Sequence, residues 1–375
     1  MTYDVIVVGL GAMGSAATYH LAKRGVRVLG CDRLVPPHDL GSTHGETRII
    51  REAYHEHPLY VPLVRRAFDL WAELERDWGE PVYRRTSGLM IGPPDGPLVT
   101  GSRASATRHD VPHELLDREA IMRRFPALTP EPGMVGLLEH RAGVLFPERA
   151  VEAHLELARR AGAELRLGEA VLSWSAEGNG VAVRWGAEQA TARWLIIAAG
   201  AWLPWLVPAL AERFWVERQL FHWFAPSAGP GWFEPARCPI ALWEPNPGGI
   251  FATFPDFGRG VKVGIHHEGP RVDPDSVSRK TTPEEEARVR GLLHRFAPSA
   301  AGSLRQSAVC LYTNSPDHHF VIDHAPGLSQ VVIASACSGH GFKFSSAIGE
   351  ILADLVTGRT PEFDLAPFRL DRFTT

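Results

Sequence analysis

Six residues near the N-terminus constrain this chain more than any other stretch: Gly9-Leu10-Gly11-Ala12-Met13-Gly14. They follow Tyr3 to Val8, a run rich in Val and Ile that reads as a strand, and Met13, Ala17 and Leu21 then recur at helical spacing until Gly25. Val26 to Gly30 reads as a second strand, ending at Asp32. GxGxxG between a strand and a helix is a dinucleotide fingerprint in its proper setting. Gly9 allows the tight turn, Gly11 lets a pyrophosphate approach the backbone, and Gly14 lets helix and strand pack closely. The helix start at Ala12 and Met13 holds phosphate charge. Asp32, 18 residues beyond Gly14 and followed by Arg33, stands where a carboxylate accepts from both ribose hydroxyls. NAD and FAD both suit this unit, and the bland alternative is a glycine turn without function.

At about 150 residues per domain, 375 residues suit two domains. Composition is that of an ordinary soluble protein, 45% hydrophobic and 22% charged. A formal charge of -4 argues against a mainly electrostatic nucleic-acid binder. Cys31, Cys238, Cys310 and Cys337 are too scattered for a disulfide framework and form no CxxC pair, so no metal site and a reducing cytoplasm are expected. The N-terminus enters Tyr3-Asp4-Val5 with no basic leader, so no signal peptide is expected. The longest apolar run, Trp194 to Leu210, is broken by Gly200, Pro204 and Pro208, whereas a membrane helix needs about 20 uninterrupted residues. No membrane span is expected. Only Lys23, Lys262, Lys280 and Lys343 are lysines among 39 basic residues, so each merits a reason.

Val64, Phe68, Trp71, Leu74 and Trp78 share one helical face that ends at Gly79. From Pro81 to Gly143 the chain is turn-rich, with Gly92-Pro93-Pro94-Asp95-Gly96 as a loop. Glu148 to Gly162 is helical, and Val181 to Trp185 and Ala192 to Ala198 read as strands returning to the first sheet. Residues 216–309 alternate short aromatic strands with turns, interrupted by a helix whose Thr282-Pro283-Glu284-Glu285 start has a capping signature. Val331 to Ala336 is a strand, and Ile348, Leu352 and Leu355 lie on a closing helix before Gly358. The pattern predicts an α/β protein: a nucleotide-binding domain from 1–80, 144–215 and 310–375, with a strand-rich substrate domain from 81–143 and 216–309. Strands joined by helices favour a parallel first sheet.

Beyond the glycine fingerprint, Gly41 to Arg51 packs Ser42, Thr43, His44, Thr47, Arg48 and Arg51 into a glycine-framed loop that brings N–H groups and guanidinium charge beside a deeper part of a cofactor. A solvated loop is an equal alternative. Leu195 to Trp202 is a strand ending in small residues, and Ala199, Gly200 and Trp202 suit a backbone passing close to a nucleotide. Cys310 follows a short strand, and a free cysteine is more often a small buried hydrophobe than a reactive group. Ser338-Gly339-His340-Gly341-Phe342-Lys343 sets a scarce lysine at a helix start, where charge and dipole stabilise an anion. Reduced flavin carries such charge at its pyrimidine end. Lys262, Gly264 and His266 share one face of a strand.

Taken together, GLGAMGS, GSTHGETRIIREAY, KVGIH, CLYTNSPD and SGHGFKFSS resemble, in order and spacing, the monomeric sarcosine oxidase and N-methyltryptophan oxidase family of FAD-dependent amine oxidases. The resemblance covers essentially the whole chain. It implies a Rossmann-like FAD-binding domain of the glutathione-reductase type, carrying an inserted mixed β-sheet substrate domain. It further implies FAD held by a thioether from Cys310, with Gly339, Gly341 and Phe342 beside the ring. Arg48 matches the arginine below the ring, and with Lys343 it looks like the clamp for a substrate carboxylate. Lys262 matches the lysine at which oxygen is activated on the other face. His266 and Tyr312 match polar residues near the substrate and His44 a further histidine near the ring, whose task is orientation and tuning of the amine's ionisation.

The implied reaction oxidises a secondary amine bearing a carboxylate, such as sarcosine, by hydride transfer to flavin. Oxygen then yields hydrogen peroxide, and the imine hydrolyses to aldehyde and amine. The expected partners are a small amine and dioxygen, in a cytoplasmic monomer. One departure stands out: the family's sarcosine oxidases place a tyrosine just before a Phe-Pro pair, whereas here the segment is Ile250-Phe251-Ala252-Thr253-Phe254-Pro255. With Trp243, His222 and Trp223 on substrate-domain strands, the pocket is expected to suit something other than sarcosine. Alternative readings are an oxidase of a cyclic or primary amine (proline, pipecolate or a specialised metabolite), a flavin dehydrogenase passing electrons to a protein, an NAD-dependent dehydrogenase, and a non-catalytic nucleotide-binding scaffold.

Overall fold

The structure, a computed structural model, describes residues 2–373. Strand Tyr3–Val8 is the middle of the first sheet, parallel to Glu188–Ile197 on one side and to Val28–Asp32 on the other. Glu164–Leu167 extends the parallel set beyond Val28–Asp32, and Leu328–Ser335 pairs parallel with Glu188–Ile197. The central strand is buried on both faces from Val5 to Val8, which is why Val5-Ile6-Val7-Val8 is continuously apolar rather than alternating. Antiparallel additions, Ser173–Glu177, Gly180–Trp185 and Val321–Ala325, complete eight strands. Helix Ala12–Lys23 packs beside Ser345–Thr357, and a Cβ on Gly349 would lie 2.5 Å from that of Ala16.

The second sheet also has eight strands, in the order Leu304–Asn314, Trp215–Phe224, Val261–His266, Gly249–Phe254, Ile240–Asn246, Gly88–Gly92, Val135–Glu139 and His113–Asp117. It is mixed, because Ile240–Asn246 runs parallel to Gly88–Gly92 among otherwise antiparallel neighbours. Helix Pro283–Phe296 covers its outer face, where Val289, Leu293 and Phe296 join Trp243 and Phe251 in one apolar cluster. The Thr282 side chain caps that helix at the Glu285 N–H, and Glu285 returns a bond to the Thr282 N–H, forming a capping box. Helix Tyr60–Trp78 ends on Gly79 at φ 88°, a left-handed stop that favours glycine.

Two segments differ from their sequence reading. Residues 81–143 are more regular than their turn signals suggest, with strands Tyr83–Arg85, Gly88–Gly92, His113–Asp117 and Val135–Glu139 and helix Pro97–Arg108. Cys310 does not follow a strand; it lies inside the eleven-residue strand Leu304–Asn314, paired with Gln219. That strand crosses residue 310 and belongs throughout to the second sheet.

Candidate active site

A cavity of about 600 Å³ runs between the two sheets. At one end it is lined by residues at or just past the carboxyl ends of parallel strands, Val8, Asp32 and Ala198, where ligands of such sheets bind. Gly9, Gly11, Ala12, Met13, Arg33, Ala199, Gly200 and Trp202 line this end. A Cβ on Gly9 would lie 2.5 Å from the Ala198 carbonyl oxygen, and Gly9 has φ 89°. No other residue fits that turn. Gly14 lies outside the cavity: a Cβ there would meet the Gly9 carbonyl oxygen at 1.7 Å, so its task is helix packing. The first turn of Ala12–Lys23 has no acidic residue, and although Thr43 Oγ1 takes the Ala12 N–H at 3.3 Å, the next N–H groups are left for an anion. Asp32 accepts from the Leu10 N–H at 2.7 Å and the Leu34 N–H at 2.9 Å. Each carboxylate oxygen keeps a lone pair for a further donor. Burial pushes its carboxyl above the usual range.

Ser42, Thr43, Thr47, Arg48 and Arg51 line the middle of the cavity. The Arg48 guanidinium donates to the Thr47 carbonyl at 2.9 Å and the Ser42 carbonyl at 3.0 Å, and lies over Phe221. Cys310 sits behind this wall rather than in it, fully buried, with Sγ 3.6 Å from Arg48 Nη2. Burial pushes its thiol pKa up, opposed by Arg48 and Lys262. His44 is also behind the wall; burial lowers its ring to about 3, and its Nε2 is buried without a partner.

The second sheet forms the floor. Cross-strand register sets Leu242, Ala252, Gly264 and Phe221 in one row, with Phe254 and Lys262 on one side and Ile250 and His266 on the other. All line the cavity. The small Ala252 side chain leaves a hollow beside Leu242 and Ile250 in an apolar floor, whereas Phe221 packs over Gly264. Trp243 and His222, on the same strands, face away from it, and Trp223 lies beneath Lys262 instead of lining the cavity, so none of the three shapes the pocket as expected. Lys262 is 2% exposed, and burial, joined by Arg48, pushes its ammonium well below the usual lysine range.

At the far end, Gly339, Gly341, Phe342 and Lys343 meet His266 and Tyr312. His266 Nδ1 lies 3.3 Å from the Tyr312 hydroxyl. Burial and then His267 hold the His266 ring well below its ordinary range, so it is neutral at neutral pH. Burial raises Tyr312, which stays a phenol. Lys343 donates to the His340 carbonyl at 2.6 Å, and burial lowers it to about 7. Its neighbour differs from the expected one: Lys343 and Arg51 both lie over the Tyr54 ring, at 5.2 and 4.4 Å. Arg48 belongs to the Cys310 side. Arg51 is paired with Glu56 at 2.7 Å and lies 2.8 Å from His55 Nδ1. His55, Glu56 and His340 line the cavity and escaped the sequence reading, although His340 stands within the SGHGFKF motif and His55 and Glu56 directly follow REAY.

Arg48, Lys262 and Lys343 line this cavity, and none of them forms a salt bridge among the described residues. Burial depresses both ammonium groups, and an anion bound among the three would restore their charge, so the cavity is built to receive negative charge. The residues fit FAD: the Gly9 and Gly11 turn and the open helix start for its pyrophosphate, and the buried, unpartnered Ser335 hydroxyl and Lys343 for polar edges of its ring.

Comparison with known proteins agrees. Over 364 residues, 96% of this chain and 95% of the relative, the sequence is 44% identical to a monomeric sarcosine oxidase of Streptomyces avermitilis. It is 36% identical over 376 residues to an N-methyl-L-tryptophan oxidase of Salmonella heidelberg, covering all of both chains. The solved structure of NikD, described as an unusual amino acid oxidase essential for nikkomycin biosynthesis, shares the fold with a TM-score of 0.85 at 24% identity, covering 98% of this chain and 97% of that one. The sequence profile described as FAD dependent oxidoreductase matches residues 4–355, and the chain belongs to that family.

Proposed function

We propose that this chain is an FAD-dependent oxidase of secondary amines that carry a carboxylate, sarcosine or another N-methyl amino acid. The observation that carries the reading is the set of three cations without ion pairs, Arg48, Lys262 and Lys343, around one cavity. FAD, when bound, supplies the two-electron acceptor for the amine and passes those electrons to dioxygen, giving hydrogen peroxide. Lys343 receives the substrate carboxylate, with Arg51 beside it across Tyr54 and Arg48 on the cofactor side. Neutral His266 and the Tyr312 hydroxyl orient the amine and, adding no negative charge, favour its uncharged form, so that the proton leaves to solvent and nitrogen presents a free lone pair. Lys262, on the floor, holds positive charge where oxygen is reduced. Gly339 lets the backbone pass under His266 and Tyr312, since a Cβ there would meet His266 Cε1 at 2.5 Å. The imine product hydrolyses to aldehyde and amine.

The apolar lining of Leu242, Ile250 and Ala252 supports a substrate with an apolar side chain, which sarcosine lacks. We further propose the thioether at Cys310, a cytoplasmic monomer, and two domains: residues 1–80, 144–215 and 315–375 for the nucleotide, and 81–143 and 216–314 for the substrate, the last boundary moved from 310 to the end of strand Leu304–Asn314. No helix among the described residues is long and apolar enough to cross a membrane.

Peroxide release from sarcosine, N-methyl-L-tryptophan, proline and an N-methylamine lacking a carboxylate tests the reading. Turnover of the N-methyl amino acids above proline, with none of the simple amine, is expected. A colourless protein, or equal turnover with and without a carboxylate, would overturn it. Lys262→Met is expected to slow reoxidation by air far more than anaerobic reduction.

A further inference from the structure

Lys262 is held by a loop, and that loop is held by one carboxylate. Lys262 Nζ donates to the carbonyl oxygens of Gly45 and Thr47, each at 2.7 Å, and lies 3.3 Å from Thr47 Oγ1. On the other side of the same loop, Glu148 Oε1 accepts from the Gly45 N–H at 2.6 Å and the Glu46 N–H at 3.0 Å. The Gly45 carbonyl and the Glu46 N–H belong to one peptide group. That group therefore receives Lys262 at its oxygen and gives to Glu148 at its nitrogen, and bonds at the two ends of a peptide polarise each other.

Backbone strain marks the same spot. Glu46 has φ 66°, a left-handed conformation uncommon outside glycine. Such strain persists where surroundings over-determine it. Here Glu148 fixes the backbone from the first turn of helix Pro147–Arg160, while the Glu46 carboxylate takes the Trp223 indole N–H at 2.7 Å and Arg259 at 2.6 Å. The Phe221, Phe254 and Trp223 rings lie 4.1, 4.6 and 5.6 Å from Lys262 Nζ. Arg48 opposes its charge, and Glu148, Cys310 and Glu46 favour it.

We infer that Glu148 is a positioning residue for Lys262, aiming its ammonium and sustaining its charge through the Gly45–Glu46 peptide. The inference rests on the reading of Lys262 as the oxygen-side cation. Glu148 acts on the reoxidation half of the cycle and leaves amine oxidation, at the His266 and Lys343 end, alone.

The test uses Glu148→Ala and Glu148→Gln holoenzymes, with Lys262→Met as control. Stopped-flow mixing measures anaerobic reduction by an N-methyl amino acid and reoxidation by oxygen separately. Glu148→Ala is expected to slow reoxidation about 10-fold or more with reduction changed less than about 2-fold, and Glu148→Gln, which keeps an acceptor oxygen, to recover part of the loss. Because the chain has four lysines, ε-13C-lysine labelling gives four signals, and in Glu148→Gln that of Lys262 is expected to titrate at lower pH than in the parent. This measurement also serves if Glu148→Ala does not fold. An unmoved Lys262 titration, or a parallel loss in both half-reactions, overturns the inference. If Lys262→Met reoxidises normally, the oxygen-side reading falls, while the lysine titration still reports whether Glu148 acts on Lys262.

Discussion

Lys343 Nζ stands 3.3 Å from the Tyr54 hydroxyl, a neutral partner for a buried ammonium that has no salt bridge among the described residues. That hydroxyl also lies 2.6 Å from His340 Nδ1, whose ring burial lowers to about 3, so the phenol donates to a neutral imidazole and turns its lone pairs to Lys343. The ammonium is thus held but not neutralised, and a substrate carboxylate completes it.

Removing that charge weakens carboxylate binding. Lys343→Met is expected to raise KM for an N-methyl amino acid about 10- to 100-fold, the worth of one charge-assisted hydrogen bond in a buried site. Steady-state kinetics check it, and an unchanged KM contradicts it.

The same site is expected to titrate. Burial lowers Lys343 to about 7, with Glu56 opposing and Arg51 and Arg48 adding to the shift. The charged form, which binds an anion, is present below that pH and lost above it. The Kd of a simple carboxylate inhibitor without an amine therefore rises as pH increases through about 7, and a bound anion moves the titration upward. Spectral titration at several pH values measures this, and Lys343→Met is expected to flatten the profile.

Cys310 decides whether the cofactor is released by acid. Precipitating the parent protein is expected to leave yellow colour in the pellet, while Cys310→Ala gives a yellow supernatant. Colour in the supernatant from both proteins contradicts the thioether.

The floor sets the size of the substrate. Ala252→Tyr fills the hollow beside Leu242 and Ile250, and it is expected to lower kcat/KM for N-methyl-L-tryptophan about 10-fold or more relative to sarcosine. A ratio left as in the parent would place the side-chain pocket elsewhere.

How much of this was legible in the sequence depended on how local each signal was. The glycine fingerprint to Asp32 and the Thr282 capping box are written within a few residues, and each folds as read. Residues 81–143 hid their strands because pairing spans long connections: Glu139 pairs with both Gly88 and His113, and Gly88 also with Ile240; the strand through Cys310 likewise finds Gln219 far along the chain. In the site, alternation put Lys262, Gly264 and His266 on one face, and the cavity lies on that face. Glu56 was missed because a charged residue in a polar loop looks like a solvated surface group; only the fold brings it beside Arg51 and near Lys343. Pairing Lys343 with Arg48 rather than with Arg51 had the same origin, since both arginines share one short segment and only Arg51 reaches Tyr54.

Flavin-dependent amine oxidation is read from the visible spectrum of the purified protein mixed anaerobically with an N-methyl amino acid and then exposed to air. Bleaching of a flavin band on mixing, followed by its return with hydrogen peroxide on aeration, is the predicted result. A spectrum without a flavin band, or a band that no secondary amino acid bleaches, would contradict it.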